Sequence, residues 1–351
     1  MQYHYLKKER ELMIRTYKEI QAKLSELDFN LLYSGFHIFD FALYNKSEVI
    51  LNDEIFPYTE DFIGNTTIRY SDKQIAIWDM KYSVDDIDIF TSKIIHEMFH
   101  AYQMENKESR FPNEFNGIFY KYNHENMIWK TKESKLLVDA YDSGSEEKFK
   151  QFIASRKERS KKYPKEVNYE NKVETVEGLA RLMELNSLHQ LNEKLEEQEI
   201  QITKDFLSKD ENYLPIRKLS LFLGSFIVLT ANKLGLNYEE KKELPVVDWF
   251  KSGKFKESLL DKYIVKTSYI DSYHQKNKQL VEDFLSQELI EINDVNITGL
   301  DPMNTIKYND YLLFNHFIRV KSKLEEKNYF GLSCMKLNNE TKKHQLYIKK
   351  K

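Results

Sequence analysis

Five consecutive residues, His96-Glu97-Met98-Phe99-His100, narrow the choice of fold more than any other stretch of the chain. Their surroundings carry helical periodicity. At about 100° per residue, Ile94, Ile95, Met98, Phe99, Ala101 and Tyr102 gather on one arc. His96 and His100 stand on the opposite side, about 40° apart, with Glu97 beside them. Such a helix buries one face and from the other aims two imidazoles at a point where one cation can meet both. The plainer alternative is two surface histidines on an amphipathic helix.

Zinc needs a third protein ligand, and the single cysteine, Cys334, excludes a thiolate cluster. Downstream lies YENKVETVEGLARLMEL, which projects Glu170, Glu174, Glu177, Arg181 and Glu184 within roughly 80° of one another. Val173, Val176, Leu179, Ala180 and Met183 supply its packing side. A stripe of four acids repels itself unless a cation neutralises it. Arg181 helps, and a bound metal would help more; otherwise the stripe is a solvated acidic face. Glu174 and Glu177, one turn apart, both stand where a ligand could be offered.

HEMFHAYQ followed by VETVEGLARLMEL resembles the gluzincin metallopeptidases, the peptidase MA-like families whose second motif reads E-G-L-A. The resemblance spans two helices and the hairpin before them, about a quarter of the chain. It implies a zincin-like core, one zinc held by His96, His100 and Glu177, and Glu97 as the base that takes a proton from zinc-activated water. The implied substrate is a peptide or protein. Glu174 would then accept a hydrogen bond from a ligand imidazole, with Arg181 beside it. Tyr213, and Arg217 one turn later, are candidates for an extra donor to the oxyanion, although each also reads as structural. The sequence departs from the familiar subgroups. Gln103 and Asn106 replace the Gly and His of metzincins, Arg181 stands where thermolysin-like enzymes carry Asp, and QMEN lacks the glycine of G-x-M-E-N. The subfamily stays open. Competing readings are a zinc-binding regulator or sensor with little turnover, and a metal-free helical interaction protein.

The remaining sequence points to a mainly α, α+β architecture. With 10 Gly and 6 Pro among 351 residues, many-turned all-β folds are disfavoured. A hydrophobic share of 41% excludes a disordered chain. Helices are expected over Leu6–Leu27, Thr91–Asn106, Asn126–Asp142, Glu146–Lys161, Tyr169–Leu191 and Leu214–Leu234. The uncharged run Leu219–Asn232 reads as a buried core helix behind the two metal helices. NTTIRYSDKQIAIWD reads as a hairpin about a Ser71-Asp72-Lys73 turn. Its second strand is expected at a sheet edge on the rim of the site, holding substrate through Gln74, Ala76 and Trp78.

A catalytic domain over 1–262 is therefore expected, with a small sheet at about 32–80 and a helical core at 85–262. A C-terminal α+β subdomain follows over 263–351, joined near 263–287; its strands are LIEIN, DYLLFNHFIRV and HQLYIKK, with KLNNETKK as a turn. The net charge of −3 creates no global field to gather nucleic acid or a membrane surface. The longest uncharged stretch falls short of the roughly 20 apolar residues of a bilayer span. The first residues, MQYHYLKKERELMIR, lack the apolar region of a secretory signal, and cysteine is nearly absent, so a cytoplasmic location is expected. RKERSKKYPK reads as solvated surface.

Overall fold

The computed structural model describes residues 2–323, 325–338 and 343–350; residues 339–342, the tip of the KLNNETKK turn, lie outside them. The fold is mixed α+β, about 53% helix and about 19% strand. The chain forms two compact units, one of Met1–Phe111, Asn171–Phe206 and Leu221–Phe250, the other of Pro112–Glu170, Leu207–Ser220 and Lys251–Lys351.

The first unit opens with helices α1 (Gln2–Ser25) and α2 (Phe29–Leu32), followed by strands β1 (Phe41–Tyr44), β2 (Glu48–Leu51), β3 (Glu54–Pro57), β4 (Thr66–Tyr70) and β5 (Lys73–Asp79). The hairpin is where the sequence placed it. Ser71 and Asp72 both take positive φ, 47° and 65°, the turn that matches the twist of two antiparallel strands. The sheet order is β3-β2-β1-β5-β4, with β1 parallel to β5 and every other pairing antiparallel.

One face of this sheet buries Ala42, Tyr44, Val49, Ile75 and Ile77 with Phe62. The other meets helices. Phe41 stacks on Tyr17 of α1, and Trp78 packs against Phe90 of α3 (Ile87–Glu105). Helix α3 starts where Asp86 accepts hydrogen bonds from the backbone N–H groups of Asp88 and Ile89, an ordinary N-cap.

The second unit holds α4 (Glu114–Ile118), α5 (His124–Ser143) and α6 (Glu146–Lys162). The long helix α7 (Pro164–Leu191) begins there and continues in the first unit. Helix α8 (Glu193–Ser208) lies in the first unit except for Leu207 and Ser208, and α9 (Ile216–Lys233) passes from the second unit into the first. Helices α10 (Ser258–Asp261) and α11 (Ser268–Leu285) lead into strands β6 (Leu289–Leu300), β7 (Thr305–Tyr308), β8 (Tyr311–Phe314), β9 (Phe317–Lys321), β10 (Glu326–Phe330), β11 (Ser333–Lys336) and β12 (His344–Lys349). These form a sheet in the order β10-β9-β6-β12-β11-β8-β7. Val281 and Phe284 of α11 cover Leu313 and Cys334 on one face, while Leu312, Phe314 and Met335 turn with Ile118 to the other.

The two units do not follow the expected division at 262/263: residues 251–351 belong with 112–170 and 207–220, and Lys135 Nζ of α5 donates to Ile264 O. The joining segment 263–287 contains α11, whose Ile270, Val281 and Phe284 are buried. Among the described residues no helix is long and apolar enough to cross a membrane.

Candidate metal centre

His96 and His100 lie one turn apart on α3, and Glu177 enters from α7, all three within the first unit. The two Nε2 atoms are 3.1 Å apart, and Glu177 Oε2 lies 3.6 Å from one and 3.5 Å from the other. Around a tetrahedral zinc with ligands at about 2.0–2.1 Å, neighbouring donor atoms stand roughly 3.3–3.4 Å apart. The triangle therefore fits such an ion, and these three residues could hold a metal.

The electrostatics ask for positive charge at the same point. Burial opposes a charged imidazole, yet Glu177 and Glu184 raise His96 to about 10. Burial raises the Glu97 carboxyl, with His96 and His100 pulling the other way.

Each histidine has an outer contact. His96 Nδ1 lies 2.6 Å from Glu184 Oε1, and His100 Nδ1 lies 2.7 Å from Gln103 Oε1. Gln103 Nε2 in turn donates to Val176 O, tying α3 to the residue before Glu177. Although burial opposes ionisation of Glu184, Arg181 and then His96 hold its carboxyl well below the usual range.

Glycine explains how Glu177 reaches this position. A Cβ on Gly178 would meet Gly224 Cα at 2.5 Å, and one on Gly224 would meet Glu174 O at 2.0 Å. The backbones of α7 and α9 are in contact, which only residues without side chains allow. Thus Leu219–Asn232 does supply a buried helix behind the Glu177 helix.

Several expected site residues fall elsewhere. Glu174 is fully buried, but the imidazole partners are Glu184 and Gln103, and the donor atom beside the histidines belongs to Glu177. Arg181 does stand in the outer layer, paired with Glu184 and with Glu199 of α8. Tyr213 belongs to the second unit; it is fully buried and donates its hydroxyl to Leu207 O at 2.6 Å, a core role. Arg217, in the same unit, pairs with Glu114 and lines a cavity of about 370 Å³ with Tyr120, Tyr122 and Tyr169.

The substrate role of Gln74, Ala76 and Trp78 is overturned. Strand β5 is internal, hydrogen-bonded to β1 on one side and β4 on the other, so no chain can add to it. Trp78 instead packs on Phe90 and donates to Tyr82 O. The edges are β3 and β4, and the Thr67 hydroxyl of β4 donates to Glu97 O.

The sequence reading assigned no role to Gln103 or to Glu184 within the acidic stripe. Helical spacing held the signal: Gln103 is three residues after His100, and Glu184 is seven after Glu177, each on the ligand's own face. No family model, curated protein or solved structure matches the chain.

Proposed function

We propose that this protein is a zinc-dependent hydrolase of peptide bonds, with a zincin-like core and a gluzincin-type ligand set. The observation that carries the reading is the convergence of His96 Nε2, His100 Nε2 and Glu177 Oε2 at zinc spacing, with Glu97 between the two histidines in sequence. Two imidazole nitrogens and a carboxylate oxygen turned toward one another repel unless a metal ion or a proton stands between them, and their spacing suits the metal.

Zinc held there by His96, His100 and Glu177 would supply an activated water and a Lewis acid for a substrate carbonyl. Glu97 would be the group that takes a proton from that water and passes it to the leaving amine, and burial raises its carboxyl. His96 and His100 offer Nε2 while their Nδ1 atoms are engaged behind. Strand β4, paired only with β5, leaves one edge for an extended peptide, and Thr67 keeps it beside Glu97.

The test combines metal analysis with cleavage of a peptide library. About one zinc per chain is expected, and Glu97→Gln is expected to keep the metal while losing on the order of 10²–10⁴ in rate. Loss of zinc in that variant would show the roles to be misassigned. Zinc binding without cleavage in the wild-type protein would leave a metal-binding regulator instead.

A further inference from the structure

We infer that Glu184 and Gln103 are positioning residues that set both histidines in the metal-binding tautomer, and that Arg181 acts one step further out by holding Glu184. The inference rests on the metal reading of His96, His100 and Glu177.

The argument is one of donors and acceptors. An ionised carboxylate only accepts, so at 2.6 Å from Glu184 Oε1 the His96 Nδ1 must carry the proton. That leaves the Nε2 lone pair for the ion. For His100 the logic runs through an amide. Val176 O can only accept, so the NH₂ of Gln103 faces it and Oε1 faces His100 Nδ1, which must donate. Both rings are thereby fixed in tautomer and in rotation, the service that outer partners give metal-bound histidines.

The two devices differ in what they report. Gln103 sits on α3 and reaches the backbone of α7 beside Glu177, so it couples the two helices that carry the ligands. Glu184 sits in a chain of alternating charge. Its second oxygen meets Arg181 Nη1 and, at 3.8 Å, Lys93 Nζ. Arg181 Nη2 meets Glu199 of α8, and the guanidinium lies 5.7 Å from the centre of the Phe222 ring of α9. Four elements of the first unit, α3, α7, α8 and α9, are thus linked through Glu184 and Arg181 behind His96. The effect on the metal should fall with distance along this chain: Glu184 first, Arg181 next, Glu199 last.

The experiment measures zinc affinity of the full chain by chelator competition, with urea unfolding of each metal-free variant alongside. Glu184→Gln places an NH₂ against Arg181 or His96, and Gln103→Leu removes the acceptor for His100. Each is expected to weaken zinc binding by about 10–100-fold. Arg181→Met should lose less than either, and Glu199→Gln least. Gln103→Glu keeps an acceptor for His100 while giving up the donor to Val176, so it should recover most of the affinity that Gln103→Leu loses.

Wild-type affinity in both Glu184→Gln and Gln103→Leu would overturn the inference while leaving the zinc reading intact. A Gln103→Glu as weak as Gln103→Leu would reduce Gln103 to a tie between helices. Should Glu184→Gln fail to fold, the Gln103 pair and Arg181→Met still decide. A wild-type chain that takes up no zinc would remove the triad reading and this inference together.

Discussion

Each unit of this protein buries a cluster of charged side chains, and the two clusters are built on opposite plans. In the second unit Lys130, Arg156, Arg159, Glu133 and Glu170 are all fully buried or nearly so. Arg159 meets Glu133 at 3.1 Å and Glu170 at 2.5 Å; Arg156 reaches Glu133 at 3.0 Å and Lys130 reaches Glu170 at 2.7 Å. Asn126 and Tyr120 add further hydrogen bonds. Every cation there faces an anion of the same cluster. In the first unit the donor atoms of His96, His100 and Glu177 face one another, and the available cations, Arg181 and Lys93, sit behind Glu184. A buried network whose charges answer each other holds a fold together. One that points its acceptors at a common centre asks for an ion.

The sharpest way to break this comparison is to remove the central cation of the closed network. Arg159→Met takes one of the two cations from each of Glu133 and Glu170, leaving Arg156 and Lys130, and the lost charged hydrogen bonds should cost about 3 kcal/mol, read by urea unfolding. If stability hardly changes, the network is not the closed unit described. The open network should answer differently. Glu177→Ala should weaken zinc binding by more than the 10–100-fold typical of an outer partner, and by far more than Glu174→Ala, read by chelator competition. The reverse ranking would make Glu174 the ligand.

A smaller effect is expected at the glycine contact. Gly224→Ala would place a methyl 2.0 Å from Glu174 O, forcing α7 and α9 apart at a cost of about 1–3 kcal/mol with weaker zinc binding. Unchanged affinity would separate the helix contact from the placing of Glu177. The smallest effect is a matter of pH. Against the burial that opposes it, Arg159 and then Lys130 hold Glu170 well below the usual carboxylate range. A depressed native value stabilises the fold above the unfolded value of about 4.5, and this contribution is lost as pH falls below it. Unfolding of the metal-free chain followed from about pH 6 down to about pH 3 should show that loss, and Glu170→Gln should flatten it.

Much of the candidate metal site was legible because helical spacing is local. HEMFH and the stripe that includes Glu177 announce which atoms share a face, and α3 and α7 present them so. The hairpin turn was legible for the same reason, since Ser71 and Asp72 suit the φ they adopt. What escaped was pairing over distance. Strand β5 looked like an edge because nothing in residues 73–79 says that β1, more than thirty residues earlier, lies parallel beside it. The outer partners escaped similarly. Glu174 and Glu184 are equally acidic on paper, and only the approach of α3 to α7 selects Glu184 for His96.

The sequence by itself determined which groups the candidate site offers: two imidazoles and a carboxylate on helix faces, without a cysteine that could build a thiolate cluster. Periodicity and residue type, both properties of a few neighbouring residues, suffice for that. The tertiary structure alone decided which acid stands with the histidines, which side chains hold their rings, and which strand forms the edge. Those outcomes depend on contacts such as Gly178 against Gly224 and Gln103 against Val176, made across 46 and 73 residues of chain. Such contacts are stabilised only once the intervening segments have packed, and no local pattern encodes them.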